Sequence, residues 1–552
     1  VLAALGRPAE ARARARGSLA RRRAAPRRDA PPAGQCHEAP DGRRFGIAAQ
    51  VFALRHDADQ GIGDYRAVAR LARAAAAHGA ALVGLSPPHA LMPVERDRAS
   101  PYQPSDRRFL EPVLLDVTTL PAAGEAPAVR RARERQAPIF PAPRAGALVD
   151  YPAVWAAKRA VLEAAVAALP RDHAAFRASG DDALEHFAAF AALSERFGAR
   201  GWPAGHAHPA DAGMARFRDE AAEAIRFHIA LQWMCDRQLA AAAAGPGLYR
   251  DLAVGAAPDG AEVWSQPGAF LRGVSIGAPP DPFAAEGQVW GLPVPHPHVS
   301  QASGHAGFAA LLRANMRHAR ALRLDHAMGL ERLFIVPEGA RASEGCYLGY
   351  DGPGLLATLA RESRAAGCAV VGEALGTVPE GFTERLAAAR VLAYRVLWFE
   401  SEGERFRAPA DWPALAAACV STHDLATLAG WWDGADIDER AALGLLAPAE
   451  AAAALARRAR ERAALAAACG VAPDGFGPAT AAAVHRFVAA SPSRMMLVQA
   501  EDLVGERIGV NLPGTDRERP NWRRRLPVAA QDLFAGDIAT AILDALAERR
   551  RA

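Results

Sequence analysis

Arg323-Leu324-Asp325-His326 closes an apolar run that begins at Ala321, and two later acidic segments repeat its pattern. They are Val370-Val371-Gly372-Glu373, led in by Cys368, and Val420-Ser421-Thr422-His423-Asp424, led in by Ala418. A short apolar run that stops at polar residues, with a helical pattern after it, reads as a buried parallel strand opening into a loop. The three carboxylates recur at intervals of about fifty residues, the length of one β-α unit with its insertions. In a (β/α)8 barrel every strand ends on one face, so Asp325, Glu373 and Asp424 are expected to converge there. The fold class predicted is therefore α/β: a (β/α)8 TIM barrel with helical insertions.

The start of the chain agrees. Gly46 to Leu54 reads as a first strand, Gly61-Ile62-Gly63-Asp64 as a turn, Tyr65 to His78 as a helix and Ala81 to Leu85 as a second strand. Strand, turn, helix, strand is a βαβ unit, which favours a parallel sheet. Ala-rich helical pattern fills residues 125–245 and returns after Trp431-Trp432 over about 436–490. Between them strands are expected at Leu248 to Val254 and Asp259 to Trp264, and residues 275–300 read as a long irregular segment, which in a compact domain is usually functional. A helix over Gly307 to Ala319 leads into the Asp325 strand, Met495 to Ala500 is the last strand, and a helix over Ala535 to Arg549 closes the chain. Residues 1–40, rich in Arg, Ala and Pro, read as a poorly ordered arm, and 41–552 as the catalytic barrel.

With 552 residues, 51% of them hydrophobic and 23% charged, the chain describes a soluble globular protein. Of 65 basic residues only Lys158 is lysine, so the positive charge reflects an arginine-rich composition rather than a nucleic-acid partner. Six scattered cysteines form no CxxC pair, which suggests neither a disulfide framework nor a zinc site. No apolar run reaches the length of a membrane span, and no signal-peptide pattern opens the chain. A reducing cytoplasm is expected, with no membrane partner; the oligomeric state is not legible. The chain begins at Val1, which reads as a trimmed or wrongly assigned start.

Three convergent carboxylates suit glycosidic chemistry. Retention at a sugar carbon needs a carboxylate nucleophile and a carboxylic acid about 5 to 5.5 Å apart, and a third acid can bond sugar hydroxyls and help distort the ring. Arg323 lies two residues before Asp325 and so shares its side of the strand, where a guanidinium would hold the nucleophile ionised. Glu373 must stay protonated until it donates, with its anionic neighbours expected to raise it. Metal binding is the rival chemistry, since Asp325-His326 and His423-Asp424 could supply ligands. Adjacent strand residues point to opposite faces, however, so neither dipeptide is expected to place two ligands in one site.

These motifs together resemble the 4-α-glucanotransferases, also called amylomaltases or disproportionating enzymes (glycoside hydrolase family 77), of the longer bacterial type. The resemblance spans roughly residues 44–534. It rests on Gly61 to Asp64, Ser100-Pro101-Tyr102-Gln103-Pro104-Ser105 with Arg107-Arg108-Phe109-Leu110, and Gly247 to Leu252. It rests also on Gln288-Val289-Trp290-Gly291-Leu292-Pro293, the three acidic segments, and Asn511 to Thr515 with Pro520 to Arg524. It implies transfer of α-1,4-glucan segments to a new 4-OH acceptor through a covalent glucosyl-enzyme, without a cofactor, on maltooligosaccharides and α-1,4-glucans. By resemblance Asp325 is the nucleophile, Glu373 the general acid/base and Asp424 the transition-state stabiliser. Arg323, His423, Tyr102, Asp259, Trp290 and Ser100 are implied to bind substrate, Trp290 on a loop over the acceptor groove. Ala374 and Ala426 replace the family's usual Asp and Pro, and the first of these is expected to alter the support of Glu373. Most of the longer type's N-terminal region has no counterpart, which bears on binding of long glucans. A retaining α-glucan hydrolase, or a maltodextrin-binding protein with impaired catalysis, are the alternatives.

Overall fold

A computed structural model describes residues 34–39, 42–177, 182–280, 286–403 and 405–547. Eight strands are parallel and close on themselves: β1 (Arg44–Ala49), β2 (Leu82–Leu85), β3 (Leu248–Leu252), β4 (Ala319–Leu324), β5 (Ala369–Gly372), β6 (Leu392–Val396), β7 (Ala416–Cys419) and β8 (Met495–Gln499). They follow one another around the barrel in chain order, and β1 pairs with β8 to shut it. With neighbours on both edges and cover on both faces, such strands need apolar residues throughout, which is why they read as continuous runs.

Register decides what meets at the barrel mouth. Asp251 pairs with Arg323 across β3 and β4, and Leu324 pairs with Gly372 across β4 and β5. These three strands therefore end level, and the residues just past them share one height. Inside, Tyr249, Tyr394, Leu392, Val371 and Leu497 pack with small residues such as Ala321, Ala369 and Ala417. Gly84 makes room for this filling, because a Cβ there would stand 3.0 Å from the Tyr249 ring.

The turn after β1 has a tight geometry that only its sequence permits. A Cβ on Gly63 would lie 1.9 Å from the Val51 carbonyl oxygen. Asp64 then caps the helix Tyr65–Ala77 by accepting from the Ala67 N–H at 2.8 Å. Helices Pro127–Gln136, Tyr151–Ala167, Asp182–Phe197 and Ala222–Ala242 stand between β2 and β3, and Pro448–Cys469 and Pro478–Ala489 between β7 and β8.

Several local expectations are corrected. The first strand stops at Ala49, and Val51–Ala53 is a 3-10 turn. Residues 259–264 are not a strand: Gly260 precedes a short helix, Ala261–Ser265, whose Glu262 holds the Arg107 guanidinium and backbone N–H. Most of 275–300 is regular. Phe270–Ala278 and Gln288–Pro295 join Arg332–Pro337 and Cys346–Gly349 in a four-stranded antiparallel sheet. Gly273, Gly277 and Gly291 sit at its register shifts, and Pro293 and Pro295 lie on the edge strand, where a missing N–H breaks no ladder. β6 was not anticipated at all.

Residues 1–33 of the expected arm lie outside the described residues. Its end, 34–39, is packed against the barrel: Cys36 is buried with its N–H on the Ala389 carbonyl, and Glu38 pairs with Arg390 and Arg494. All six cysteines are free thiols. Among the described residues no helix is long and apolar enough to cross a membrane.

Candidate active site

β4 delivers Arg323 and Asp325 to the barrel mouth, where the guanidinium holds two carboxylates at once. Arg323 Nη2 lies 2.8 Å from Asp325 Oδ1, and Nη1 donates to both oxygens of Asp251 at 2.9 Å. Arg323 is 6% exposed, a burial that alone would favour its neutral form; Asp251 and Asp325 outweigh it, so it stays charged. Burial likewise pushes Asp251 above the usual carboxylate range, with Arg323 opposing and Asp325 adding to the rise. Tyr102 donates its hydroxyl to Asp251 Oδ2 at 2.6 Å.

After Asp325 the chain bends through His326, which takes a left-handed conformation with φ of 47°. A non-glycine residue there is strained, and such residues gather at functional sites. The bend turns the His326 N–H onto Glu373 Oε2 at 2.8 Å, while the Leu375 N–H donates to Oε1 at 2.7 Å. Both Glu373 oxygens are thus oriented by backbone. Burial is the main cause that lifts the Glu373 carboxyl to about 7; Arg323 opposes it and Asp325 adds to it. The expected direction holds, but desolvation leads rather than the anionic neighbours. Because backbone amides supply the support, Ala374 removes none of these contacts.

Asp424 is held in the opposite state. Its surroundings desolvate it, which would raise it, but His423, the Asn511 amide and Arg323 bring it down to about 2. Asn511 Nδ2 donates to Asp424 Oδ1 at 2.6 Å, and His423 Nε2 stands 3.1 Å from Oδ2. The adjacent-residue argument therefore fails at this dipeptide. β7 ends at Cys419, so His423 and Asp424 belong to a loop and face one another. Among the described residues no group of three or more His, Cys, Asp or Glu is arranged to hold a metal.

An aromatic wall backs His423. Tyr102 stacks on its ring at 4.8 Å and 22°, and Trp522 touches both rings, at 5.4 Å from Tyr102 and 5.6 Å from His423. Trp290, on the edge strand of the antiparallel sheet, meets the His326 ring edge-on at 5.2 Å. Its carbonyl accepts from Gln103 Nε2 at 3.1 Å. Ser100 turns its hydroxyl to the Tyr102 N–H at 3.3 Å, which shapes the loop. The Asp259 carboxylate takes two bonds from Arg98, at 2.8 and 2.9 Å, with Arg200 at 3.4 Å.

Asp251, Asn511 and Trp522 went unassigned in the sequence, although each lies in a quoted motif. For Asp251 the apolar run gave no signal, since Asp251 lies inside its strand, between Arg250 and Leu252. Trp522 reaches the site from a C-terminal loop and gave none either.

A family model described as 4-alpha-glucanotransferase matches residues 49–530. A 4-alpha-glucanotransferase of Mycobacterium bovis is 37% identical over 92% of this chain and 75% of its own length. One from Haemophilus influenzae is 32% identical over 89% of this chain and 77% of its own. The crystal structure of amylomaltase from Corynebacterium glutamicum superposes with a TM-score of 0.81 at 31% identity, covering 91% of this chain and 75% of that one.

Proposed function

The chain belongs to the 4-alpha-glucanotransferase family and is an enzyme of α-glucan transfer, and on that premise we propose that it works by retaining double displacement on maltooligosaccharides. Asp325 attacks the anomeric carbon as Glu373 gives its proton to the departing glycosidic oxygen. The bond to the leaving glucan breaks as the bond to the Asp325 oxygen forms. Glu373, now ionised, takes the proton from an acceptor 4-OH, whose oxygen displaces Asp325 and restores both groups.

The observation that carries this reading is the contrast between Glu373 and Asp424, two carboxyls at one barrel mouth held in opposite protonation states. Asp325 Oδ1 is held by Arg323 Nη2 at 2.8 Å, which fixes the orientation of the nucleophile. Glu373, lifted to about 7, keeps a proton to give near neutrality. Asp424, at about 2, stays anionic beside His423, suited to positive charge developing on the sugar. Tyr102 and His423 would flank the reacting glucose, and Trp290 would offer a ring to the acceptor. Ser100 enters only by shaping the Tyr102 loop, and Asp259 by bracing Arg98. The chemistry draws on the chain's own carboxylates and guanidinium. With six free thiols, we place the enzyme in the reducing cytoplasm.

Purified protein with maltotriose tests the reading. Glucose plus a ladder of longer maltodextrins at constant reducing ends is expected. Rising reducing ends without longer products would make it a hydrolase, and no product even from longer maltodextrins would make it a binding protein.

A further inference from the structure

Glu501 and Asp502 follow β8 directly, on the same barrel face as Asp424, and no step above uses them. Both are buried, at 5% and 1% exposure. Asp502 has a structural occupation: its Oδ1 accepts from the Leu428 N–H at 2.9 Å, and Oδ2 lies 3.7 Å from His485 Nε2. Glu501 Oε1, like Asp502 Oδ2, is buried with no hydrogen-bond partner, and among the described residues no contact to another side chain occupies it. It borders a cavity of about 10 Å3 whose other walls include Ser421, Thr422, His423 and Asp502. That is room for about one water, and a buried water needs 2–4 polar partners of this kind. Ser421, Thr422 and His423 in that lining belong to the loop that carries Asp424.

We propose that Glu501 is a positioning residue of this active site, bracing the Ser421–Asp424 loop through a single water held between its free Oε1 and that loop. The inference rests on Asp424 acting as stabiliser. The titratable groups facing Glu501 are Asp502 and Glu506 from its own segment and His423 from the loop; His485 reaches only Asp502. Burial is the main cause that raises Glu501 to about 7, with Asp502 and Glu506 adding and His423 opposing. As a neutral acid Glu501 donates to the water and leaves His423 to Asp424. Once ionised, it competes with Asp424 for the His423 cation.

Glu501→Leu keeps the bulk and removes the acid, whereas Glu501→Gln keeps a neutral donor. Leucine is expected to lower kcat about tenfold or more with KM within about twofold, and glutamine to restore kcat to within about threefold. A wild-type kcat in E501L, or E501Q falling as far as E501L, would overturn the proposal. Should E501L not fold, histidine-selective NMR of the other two proteins decides. The His423 signal should sense a second proton step near neutrality in wild type that is missing from E501Q; identical curves would overturn it. Full activity in D424N would defeat the parent reading instead.

Discussion

Glu373 and Asp424 are both carboxyls in one cleft, yet their surroundings separate them by about five pH units, at about 7 and about 2. Glu373 must be protonated to donate, so kcat/KM is expected to fall as pH rises through about 7 and to keep its value below. In E373Q that basic limb should vanish from a rate lowered about 10²–10⁴-fold; persistence of the limb would move the acid elsewhere. Arg323 offers a second check. Replacing it with Met leaves the buried Asp251 and the partly buried Asp325 without their cation, and breaking a buried pair costs about 3–5 kcal/mol, measurable by urea unfolding alongside loss of activity. The sequence revealed Arg323 because strand periodicity put it beside Asp325. It could not reveal that burial dominates at Glu373, since burial is set by elements hundreds of residues away. Nor could it show that Asp259 spends its carboxylate on Arg98.

Strands and loops divide along the same line. The Asp325 and Glu373 strands were legible because a continuously apolar run leaves few alternatives to a doubly covered strand. β6 carries Arg395 within it, and its apolar run goes on through a 3-10 turn to Glu400, so no polar tip marked where the strand stops. The antiparallel sheet over 270–349 was hidden by glycines and prolines that sit at its irregularities and its edge. That sheet brings Trp290 to His326, and the Gln103 side chain fastens it through the Trp290 carbonyl. Transfer requires water to be kept from the glucosyl-enzyme while a sugar hydroxyl enters. Gln103→Ala is therefore expected to raise the ratio of hydrolysis to transfer, read as new reducing ends per disproportionation event. An unchanged ratio would mean the bond has no part in excluding water.

For the molecule as a whole, one buried pair ties the C-terminal segment to the loop after β1: Arg525 Nη2 donates to Asp59 Oδ2 at 2.7 Å, with both side chains at most 1% exposed. Arg525→Leu strands the Asp59 charge and should cost about 3–5 kcal/mol of stability. Asp502 makes a pH-dependent contribution. Burial lifts it to about 7, so the folded state keeps a proton that the unfolded chain has released. Its contribution is full below the ordinary Asp value and is lost as pH rises through about 7. Asp502→Asn should accordingly narrow the Tm difference between pH 5.5 and pH 8, and an equal or wider gap would contradict that protonation. Barrel closure was legible from the recurring strand-and-acid pattern. These tertiary pairs were not, because their partners lie too far apart in sequence for any spacing to expose.

The covalent intermediate is the most direct point of decision. E373Q treated with α-maltosyl fluoride, whose leaving group needs no acid, should form the glycosyl-enzyme and fail to discharge it. Peptide mapping by mass spectrometry is expected to place the sugar on Asp325. A sugar on any other residue, or turnover with no adduct formed, would contradict the double displacement proposed for this chain.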